Sequence, residues 1–204
     1  MLSLNNHLFL LLNASAEASP LLVTAAAVIA SKLVYVPPIL LVALWVRGEP
    51  ERRAGLAATG IAAALALGAN QFVGLLWYEP RPFMIGLGRT LMAHVPENSF
   101  PSDHTTFMLT IGLALIATRA APAWGKIMSA FAVLVAWARI YLGLHFPLDM
   151  LASALIACLF GGVAALLEAP VQRWVMPVAD RLYEDLLGAL RLPSRAFPRR
   201  GRRD

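Results

Sequence analysis

Charged side chains are scarce in this chain. Of its 204 residues, 14% are Asp, Glu, Lys or Arg, while 59% are hydrophobic. Soluble domains carry about 25% charged residues, so the composition excludes an ordinary water-soluble protein. The single cysteine, Cys158, has no partner for a disulfide and is expected to be a small packing residue. No basic residue precedes the first apolar segment, so we do not expect a cleaved signal peptide.

Long apolar runs take the place of charge. Leu21–Val46 contains one charged residue, Lys32, and Ala54–Tyr78 contains none. A bilayer core is crossed by about 20 apolar helical residues, which both runs supply. Three further spans are predicted at Pro101–Thr118, Ile127–Leu144 and Met150–Leu167. The sequence therefore predicts an all-α integral membrane protein, a bundle of about five to six helices. Lys32 lies deep in the first span, where we expect a structural or pairing role.

The two ends of the chain differ from the spans. The segment "LNNHLFLLLNASAEASP" is predicted to be a short interfacial helix lying on the membrane. Val171–Leu192 alternates apolar and charged residues at helical spacing, which predicts an amphipathic helix on the inner surface. We expect one membrane-embedded domain over residues 1–192, followed by a disordered basic tail over residues 193–204.

The basic residues are distributed unevenly. They lie between the first two spans, between the third and fourth, and after the fifth, as in Arg52, Lys126 and Arg199. With five spans, alternation places all these segments on one side, which the positive-inside rule makes cytoplasmic. Nucleic acid is the usual alternative partner for a basic tail. Because this tail is short and follows a span, anionic lipid headgroups are the simpler partner.

Ionisable residues gather instead at the opposite face of the predicted bundle. Span ends and loops bring together Glu79, Arg81, Ser102, Asp103, His104, Arg139, His145 and Asp149. Ionisable groups at membrane depth usually face a bundle interior and mark a functional site. Arginine guanidinium groups suit phosphate oxygens. Ser102 is a natural N-cap, and the free N–H groups of the following turn can bind an anion. These features together predict a phosphate pocket.

Two histidines then receive chemical roles. His145 and Asp149 are four residues apart, so the carboxylate can bond one imidazole nitrogen and leave the other free to attack phosphorus. His104, on another helix, can protonate the leaving oxygen and later activate water. Each residue alone has a structural alternative: a packing histidine, an interfacial Arg139, a simple cap at Ser102. Their occurrence at one depth favours catalysis.

The motifs resemble those of a known family. "PSDH" (Pro101–His104), "ARIYLGLHFPLD" (Ala138–Asp149) and Arg81-Pro82 are similar to the three signatures of the type 2 phosphatidic acid phosphatase superfamily. Within it, "NQFVGLLWYEPRPF" and "ENSFPSDH" look most like bacterial undecaprenyl pyrophosphate phosphatases of the bacitracin-resistance type. The resemblance implies a nucleophilic His145 oriented by Asp149, with His104 as acid and base. Phosphate would be held by Arg81, Ser102 and Arg139. No metal or other cofactor is implied, and no cluster has metal-ligand spacing.

Two departures from the family pattern bear on the substrate. The lysine that usually opens the first signature is replaced by Gly74. Asp103 stands where the wider family commonly has glycine, and a carboxylate beside phosphate is electrostatically adverse. We expect Asp103 to pair with Arg89 or Arg81, or to touch the distal group of a diphosphate. Glu97 is a second carboxylate in this region, and it too needs a partner of this kind.

The expected function is hydrolysis of undecaprenyl pyrophosphate to undecaprenyl phosphate and phosphate through a phosphohistidine, which recycles the carrier lipid for cell-wall synthesis. The expected location is the bacterial inner membrane, with the site facing the periplasm and the C-terminus in the cytoplasm. One alternative keeps the chemistry and changes the lipid to phosphatidate, phosphatidylglycerol phosphate or lipid A phosphate. Another is a small transporter, which would distribute polar residues along a path through the membrane.

Overall fold

The structure, a computed structural model, describes residues 4–190. Within that range the regular elements are helices, which confirms the all-α fold class. The α-helices are α1 (Leu4–Leu12), α2 (Pro20–Lys32), α3 (Val36–Arg47), α4 (Arg53–Leu76), α5 (Asp103–Ala117), α6 (Pro122–Tyr141), α7 (Pro147–Pro170) and α8 (Met176–Ala189).

Four helical stretches among the described residues are long and apolar enough to cross a membrane. They are Pro20–Arg47, Pro50–Leu76, Pro122–Tyr141 and Pro147–Ala189. The third predicted span, Pro101–Thr118, corresponds to α5, which is apolar but has only 15 residues. At 1.5 Å per residue α5 is about 22 Å long, less than the roughly 30 Å of a bilayer core. The segment before it, which includes the fully buried Ser99 and Ser102, is enclosed by the bundle.

The first span is broken in its middle. A short 3₁₀ turn, Leu33–Tyr35, separates α2 from α3, and Pro37 and Pro38 follow at the start of α3. Proline is tolerated in the first turn of a helix but interrupts a helix interior, so this sequence restarts the span. Lys32 ends α2 with an exposed side chain. The pairing role predicted for Lys32 is not seen, because no carboxylate among residues 4–190 forms a salt bridge with it.

Small residues hold the central helices α4 to α7 together. Ala62, Ala114 and Ala164, from α4, α5 and α7, form a fully buried cluster. Gly112 of α5 lies so close to α6 that an added Cβ would come within 2.4 Å of Ser129 Oγ. Small side chains let membrane helices approach closely and replace the hydrophobic effect that drives packing in water. The bundle is thereby tight at its centre and exposes leucines, such as Leu155, on its lipid-facing side.

The two flanking helices also follow the predicted pattern. Phe9 of α1 is fully buried against Phe146, with ring centroids 5.4 Å apart, while Leu11 is exposed. The C-terminal helix α8 is amphipathic and begins at Met176, after a π-helical turn, rather than at the predicted Val171. The predicted disordered tail, residues 193–204, lies outside the described residues.

Candidate active site

Four segments of the bundle end around one cavity of about 300 Å³. The loop after α4 contributes Arg81, the start of α5 contributes Asp103 and His104, and the end of α6 contributes Arg139. The turn between α6 and α7 contributes His145. The structure thus brings five of the seven predicted site residues to one wall. The other two lie behind it: Asp149 supports His145, and Ser102 is buried beside Ser153.

The two arginines converge on His145. Arg81 Nη1 lies 3.0 Å and Arg139 Nη2 lies 3.2 Å from His145 Nε2. A guanidinium group can only donate hydrogen bonds, so Nε2 is the acceptor in both contacts and carries no proton. The proton of the neutral imidazole is therefore on Nδ1. This tautomer places a lone pair on Nε2, in the cavity, between two cations.

Nδ1 of His145 faces a polar group that is buried behind the wall. It lies 3.2 Å from Asp149 Oδ2 and 2.9 Å from the Ser99 carbonyl oxygen. Asp149 Oδ2 also accepts hydrogen bonds from Ser99 Oγ at 2.5 Å and from the Phe146 N–H at 2.9 Å. Ser99 was missed in the sequence because it precedes the recognisable motif. Three donors fix the carboxylate, which in turn fixes the plane of the imidazole.

The turn that carries His145 depends on Gly143. This glycine has φ of +84°, a left-handed conformation that side chains with a Cβ rarely adopt. An added Cβ would also lie 2.2 Å from the Arg89 carbonyl oxygen. The close approach lets Leu91 N–H bond the Leu142 carbonyl, which ties the long loop to the end of α6.

Among residues 4–190, Asp103 forms no salt bridge with an arginine, so the predicted alternative of a pairing with Arg89 or Arg81 was wrong. Its Oδ1 accepts a hydrogen bond from Asn70 Nδ2 at 2.6 Å, and both of its oxygens lie 3.0 Å from Gln71 Nε2. The Arg89 guanidinium instead donates to the Ser15 carbonyl. Two amides on adjacent α4 positions satisfy the carboxylate without occupying the arginines that face the cavity. A distal-phosphate contact for Asp103 stays a prediction.

Ser102 is the N-cap of α5, as predicted, but its side chain makes no capping hydrogen bond. Its hydroxyl donates to Thr105 Oγ1 at 3.3 Å, and its backbone N–H donates to Ser153 Oγ at 2.9 Å. The residue is fully buried and does not line the cavity. Its predicted phosphate contact therefore stays a prediction, and Ser102 is seen to join α5 to α7.

Gly74, at the position of the family lysine, lies on the cavity wall. Its carbonyl accepts a hydrogen bond from Asn98 Nδ2 at 2.9 Å. An added Cβ would come within 3.1 Å of that same nitrogen. Asn98 also forms hydrogen bonds with the Trp77 carbonyl and the Glu79 N–H. It thereby connects the two ends of the loop between α4 and α5. A larger residue at position 74 would disturb this anchor.

Two further cavity residues, His94 and Glu97, come from the long loop. Glu97 Oε1 accepts a hydrogen bond from Arg81 Nη2 at 3.1 Å, which gives Glu97 the arginine partner that its charge requires. His94 Nε2 lies 3.2 Å from Arg139 Nη2. His94 has no motif around it, so the sequence offered no signal for it. Arg81 thus uses one nitrogen for the loop and another for His145, whereas Nη2 of Arg139 contacts both His94 and His145.

Burial and charge shift the acid–base properties of these loop residues. The pKa of His145 lies well below its ordinary 6.5, because the imidazole is buried and because Arg139 and Arg81 disfavour a third positive charge. Burial also lowers the pKa of His94, and the two arginines add to that effect. Both imidazoles are therefore neutral near pH 7. Burial lowers the pKa of Arg81 as well, against the opposing effect of Glu97.

Comparison with known proteins places this geometry in a family. Residues 55–172 match the PAP2 superfamily, and this range includes every residue of the predicted site. The chain belongs to the PAP2 superfamily. The predicted resemblance is thereby confirmed, and so is the prediction that the chain is an enzyme, since PAP2 phosphatases are hydrolases of lipid phosphates.

Individual PAP2 relatives cover most of the chain. YbjG of Escherichia coli K12, named as a candidate undecaprenyl-diphosphatase, is 38% identical over 80% of this chain and 81% of its own. BcrC of Bacillus subtilis 168, named undecaprenyl-diphosphatase, is 32% identical over 74% of this chain and 77% of its own. The crystal structure of Aquifex aeolicus LpxE matches with a TM-score of 0.60 and 28% identity. That match covers 80% of this chain and 95% of LpxE.

Proposed function

We propose that this PAP2 enzyme hydrolyses undecaprenyl diphosphate to undecaprenyl phosphate and inorganic phosphate through a phosphohistidine at position 145. The observation that carries the proposal is the convergence of Arg81 and Arg139 on the unprotonated Nε2 of His145. A lone pair between two cations is suited to attack an electrophile that arrives with negative charge.

Unused hydrogen-bonding groups support an anion at this point. The Nε atoms of Arg81 and Arg139 are buried, and neither has a hydrogen-bond partner among the described residues. A buried donor without a partner is costly, by about 1–3 kcal/mol, more for a charged group. Phosphate oxygens can satisfy such guanidinium donors in a bidentate manner. The two guanidinium groups on the cavity wall therefore favour binding of a phosphoryl group.

The reaction proceeds in two displacements. His145 Nε2 attacks the terminal phosphorus, an N–P bond forms, and the bond from phosphorus to the bridging oxygen breaks. His104 donates a proton to that leaving oxygen, and Asp149 stabilises the positive charge that develops on His145. His104 then takes a proton from water, which attacks the phosphorus and breaks the N–P bond. Inorganic phosphate leaves, and both histidines return to their starting state.

The lipid nature of the leaving group is supported by an apolar groove beside the cavity. His104 and Asp103 line the groove as well as the cavity, and Val34, Leu67 and Phe107 complete the groove. The acid that protonates the leaving oxygen is thus next to a surface suited to hydrocarbon. The choice of undecaprenyl diphosphate follows the names of YbjG and BcrC.

We place the site at the periplasmic face of a bacterial inner membrane and the C-terminus in the cytoplasm. Arg47 and Arg53 flank the end of the bundle opposite the cavity, at the end of α3 and the start of α4. Basic loops favour the cytoplasmic side. The site then faces the outer leaflet of that membrane.

Purified protein in detergent tests this function by phosphate release. Undecaprenyl diphosphate should be hydrolysed faster than phosphatidate, phosphatidylglycerol phosphate or lipid A phosphate offered in parallel. The variant His145→Gln should be inactive, and His104→Ala should accumulate an acid-labile phosphohistidine. Preference for another lipid would change the substrate only. Turnover by His145→Gln would remove the proposed nucleophile.

A further inference from the structure

The charges on the cavity wall cancel among the described residues. Arg81 and Arg139 are its permanent cations, and Glu97 and Asp103 are its carboxylates. Gly74 adds no charge where the family pattern has lysine. A phosphate monoester carries about −1.5 to −2 at pH 7, and a diphosphate ester carries more. The proton that His104 gives to the leaving oxygen offsets one of these negative charges, and a further positive charge on the wall would favour the bound diphosphate.

The imidazole of His94 is placed to provide this further positive charge. Its Nε2 lies 3.2 Å from Arg139 Nη2, and that same nitrogen lies 3.2 Å from His145 Nε2. The donor nitrogen of Arg139 therefore joins two imidazoles. A phosphoryl group that reacts with His145 must lie on the His145 side of this nitrogen, and the phosphate bonded to it then lies against His94. Nδ1 of His94 lies 3.1 Å from the Val95 carbonyl, so Nε2 is its cavity-facing atom.

Displacement of Arg139 changes what His94 Nε2 can do. In the structure Nε2 accepts a hydrogen bond from the guanidinium, which can only donate. When a phosphate oxygen takes that donor, the lone pair of Nε2 faces an anion. A neutral acceptor beside an anionic oxygen is unfavourable, whereas an imidazolium N–H donates a charge-assisted hydrogen bond. Binding of the anion therefore favours protonation of His94.

We propose that His94 is a substrate-binding residue that takes up a proton when a diphosphate enters and donates Nε2–H to its lipid-linked phosphate. This inference rests on the proposed function and identifies His94 as the residue that binds the second, lipid-linked phosphate. Depth supports the assignment: the side chain of His145 is 2% exposed, that of His94 is 18% exposed and that of Glu97 is 56% exposed. The reacting phosphate lies at the floor of the cavity, beside His145, and the lipid-linked phosphate lies at the level of His94.

The groups facing His94 come from every element around it. Glu97 and Arg81 lie on the long loop, His104 on α5, Arg139 on α6, and His145 on the following turn. His145 must be neutral to attack, and His104 must give its proton to the leaving oxygen. His94 is the remaining imidazole on the wall described here. Burial and the arginines lower the pKa of His94, so the proton arrives with the substrate.

The variant His94→Gln tests the inference, with His7→Gln, on the exposed face of α1, as the matched control. Glutamine keeps a hydrogen-bonding side chain but cannot become a cation. We expect KM for undecaprenyl diphosphate to rise about tenfold in His94→Gln with kcat within twofold, as for loss of a contact made in ground and transition states alike. The KM of the wild type should rise with pH from below 6.5, and this rise should flatten in the variant.

A fall in kcat at unchanged KM would overturn the binding role, because it would make His94 part of the chemical step. An unchanged KM and an unchanged pH profile would overturn the inference as well. Binding of inorganic pyrophosphate and orthophosphate to the full-length protein gives a readout that needs no turnover. Calorimetry in two buffers should show proton uptake with pyrophosphate, smaller by about one proton in His94→Gln, and equal losses for both anions would contradict a second-phosphate role.

These measurements separate this inference from the proposed function. If the wild type hydrolyses no polyprenyl diphosphate, the proposed function fails, while pyrophosphate binding still decides the role of His94. If the wild type is active and His94→Gln behaves like His7→Gln, the proposed function stands and the inference fails.

Discussion

His145 Nδ1 lies 3.2 Å from Asp149 Oδ2, and both side chains are almost completely buried. The two residues are four apart across the start of α7, where Pro147 begins the helix. Oδ2 receives all the protein donors, from Ser99, His145 and Phe146, while Oδ1 has no partner among the described residues. The carboxylate is thereby held in one orientation, which fixes the nucleophile and stabilises the imidazolium that forms during attack.

Asp149→Asn should therefore impair chemistry far more than folding. Asparagine has nearly the same volume but no charge to stabilise imidazolium, and its amide can hold the wrong tautomer of His145. By comparison with carboxylate–histidine pairs elsewhere, we expect kcat to fall about 10²- to 10⁴-fold. Phosphate release measures the effect, with His145→Gln as the reference for complete loss. Retention of more than a tenth of the wild-type kcat would contradict the role.

Ser99→Ala should lower activity by a smaller factor. The change removes the 2.5 Å hydrogen bond to Asp149 and leaves the carboxylate free to rotate. Supporting residues around a site typically contribute about 10- to 100-fold to activity, and we expect a loss in that range, chiefly in kcat. Ser129→Ala is the matched control, because Ser129 donates to the Gly125 carbonyl within α6. A Ser99 variant as active as the Ser129 variant would exclude the supporting role.

The sequence predicts the bundle and the reacting groups well because each rests on local spacing. Apolar runs of bilayer length identify the spans. A separation of four residues aligns His145 with Asp149, independently of the rest of the fold. The bounds of α5 were less predictable: the helix starts at Asp103 rather than Pro101, because Ser102, its N-cap, has an extended backbone and is buried in the bundle.

The partners of the loop were not predictable from spacing. His94, Glu97 and Ser99 reach the site only because the chain between α4 and α5 folds back over the cavity. That fold depends on Asn98, which bonds groups as distant in sequence as Gly74. Asp103 shows the same limit, since the sequence indicated that it needed a donor but not that the amides of Asn70 and Gln71 would supply it.

The pH profile should report the neutral state of His145. Its pKa is lowered well below 6.5, first by burial and then by Arg139 and Arg81. A protonated Nε2 cannot attack, so the attack by His145 is lost as pH falls through its lowered pKa. We therefore expect the acidic limb of kcat/KM, which reports the free enzyme, to lie below pH 6.5.

Arg139→Gln should move that acidic limb to higher pH, because one of the cations that disfavour imidazolium is removed. The maximum of kcat/KM will also fall, but the pH at the midpoint of the acidic limb is measured independently of that maximum. Lys126→Gln, a change of the same charge at the other end of α6, is the control and should leave the limb in place. A limb that moves equally in both variants would indicate a general effect of net charge.

Gly143→Ala should damage both stability and activity. The residue has φ of +84°, and an added Cβ would lie 2.2 Å from the Arg89 carbonyl oxygen. This oxygen belongs to the backbone, so it cannot move away by a change of side-chain rotamer. Left-handed backbone costs a residue with a Cβ about 1–2 kcal/mol, and the clash adds to that cost. Relief of the clash must separate the long loop from the turn that carries His145. We therefore expect a lower unfolding temperature in detergent and a kcat reduced at least tenfold.

Gly162→Ala provides the opposite case in the same protein. An added Cβ there meets nothing within 4 Å, and the residue lies inside α7. Alanine is favoured over glycine in a helix interior by about 0.5–1 kcal/mol, so this variant should be as stable as the wild type or slightly more so, with unchanged kcat. If Gly143→Ala were equally well tolerated, the tight contact between the turn and the loop would not be needed to position His145.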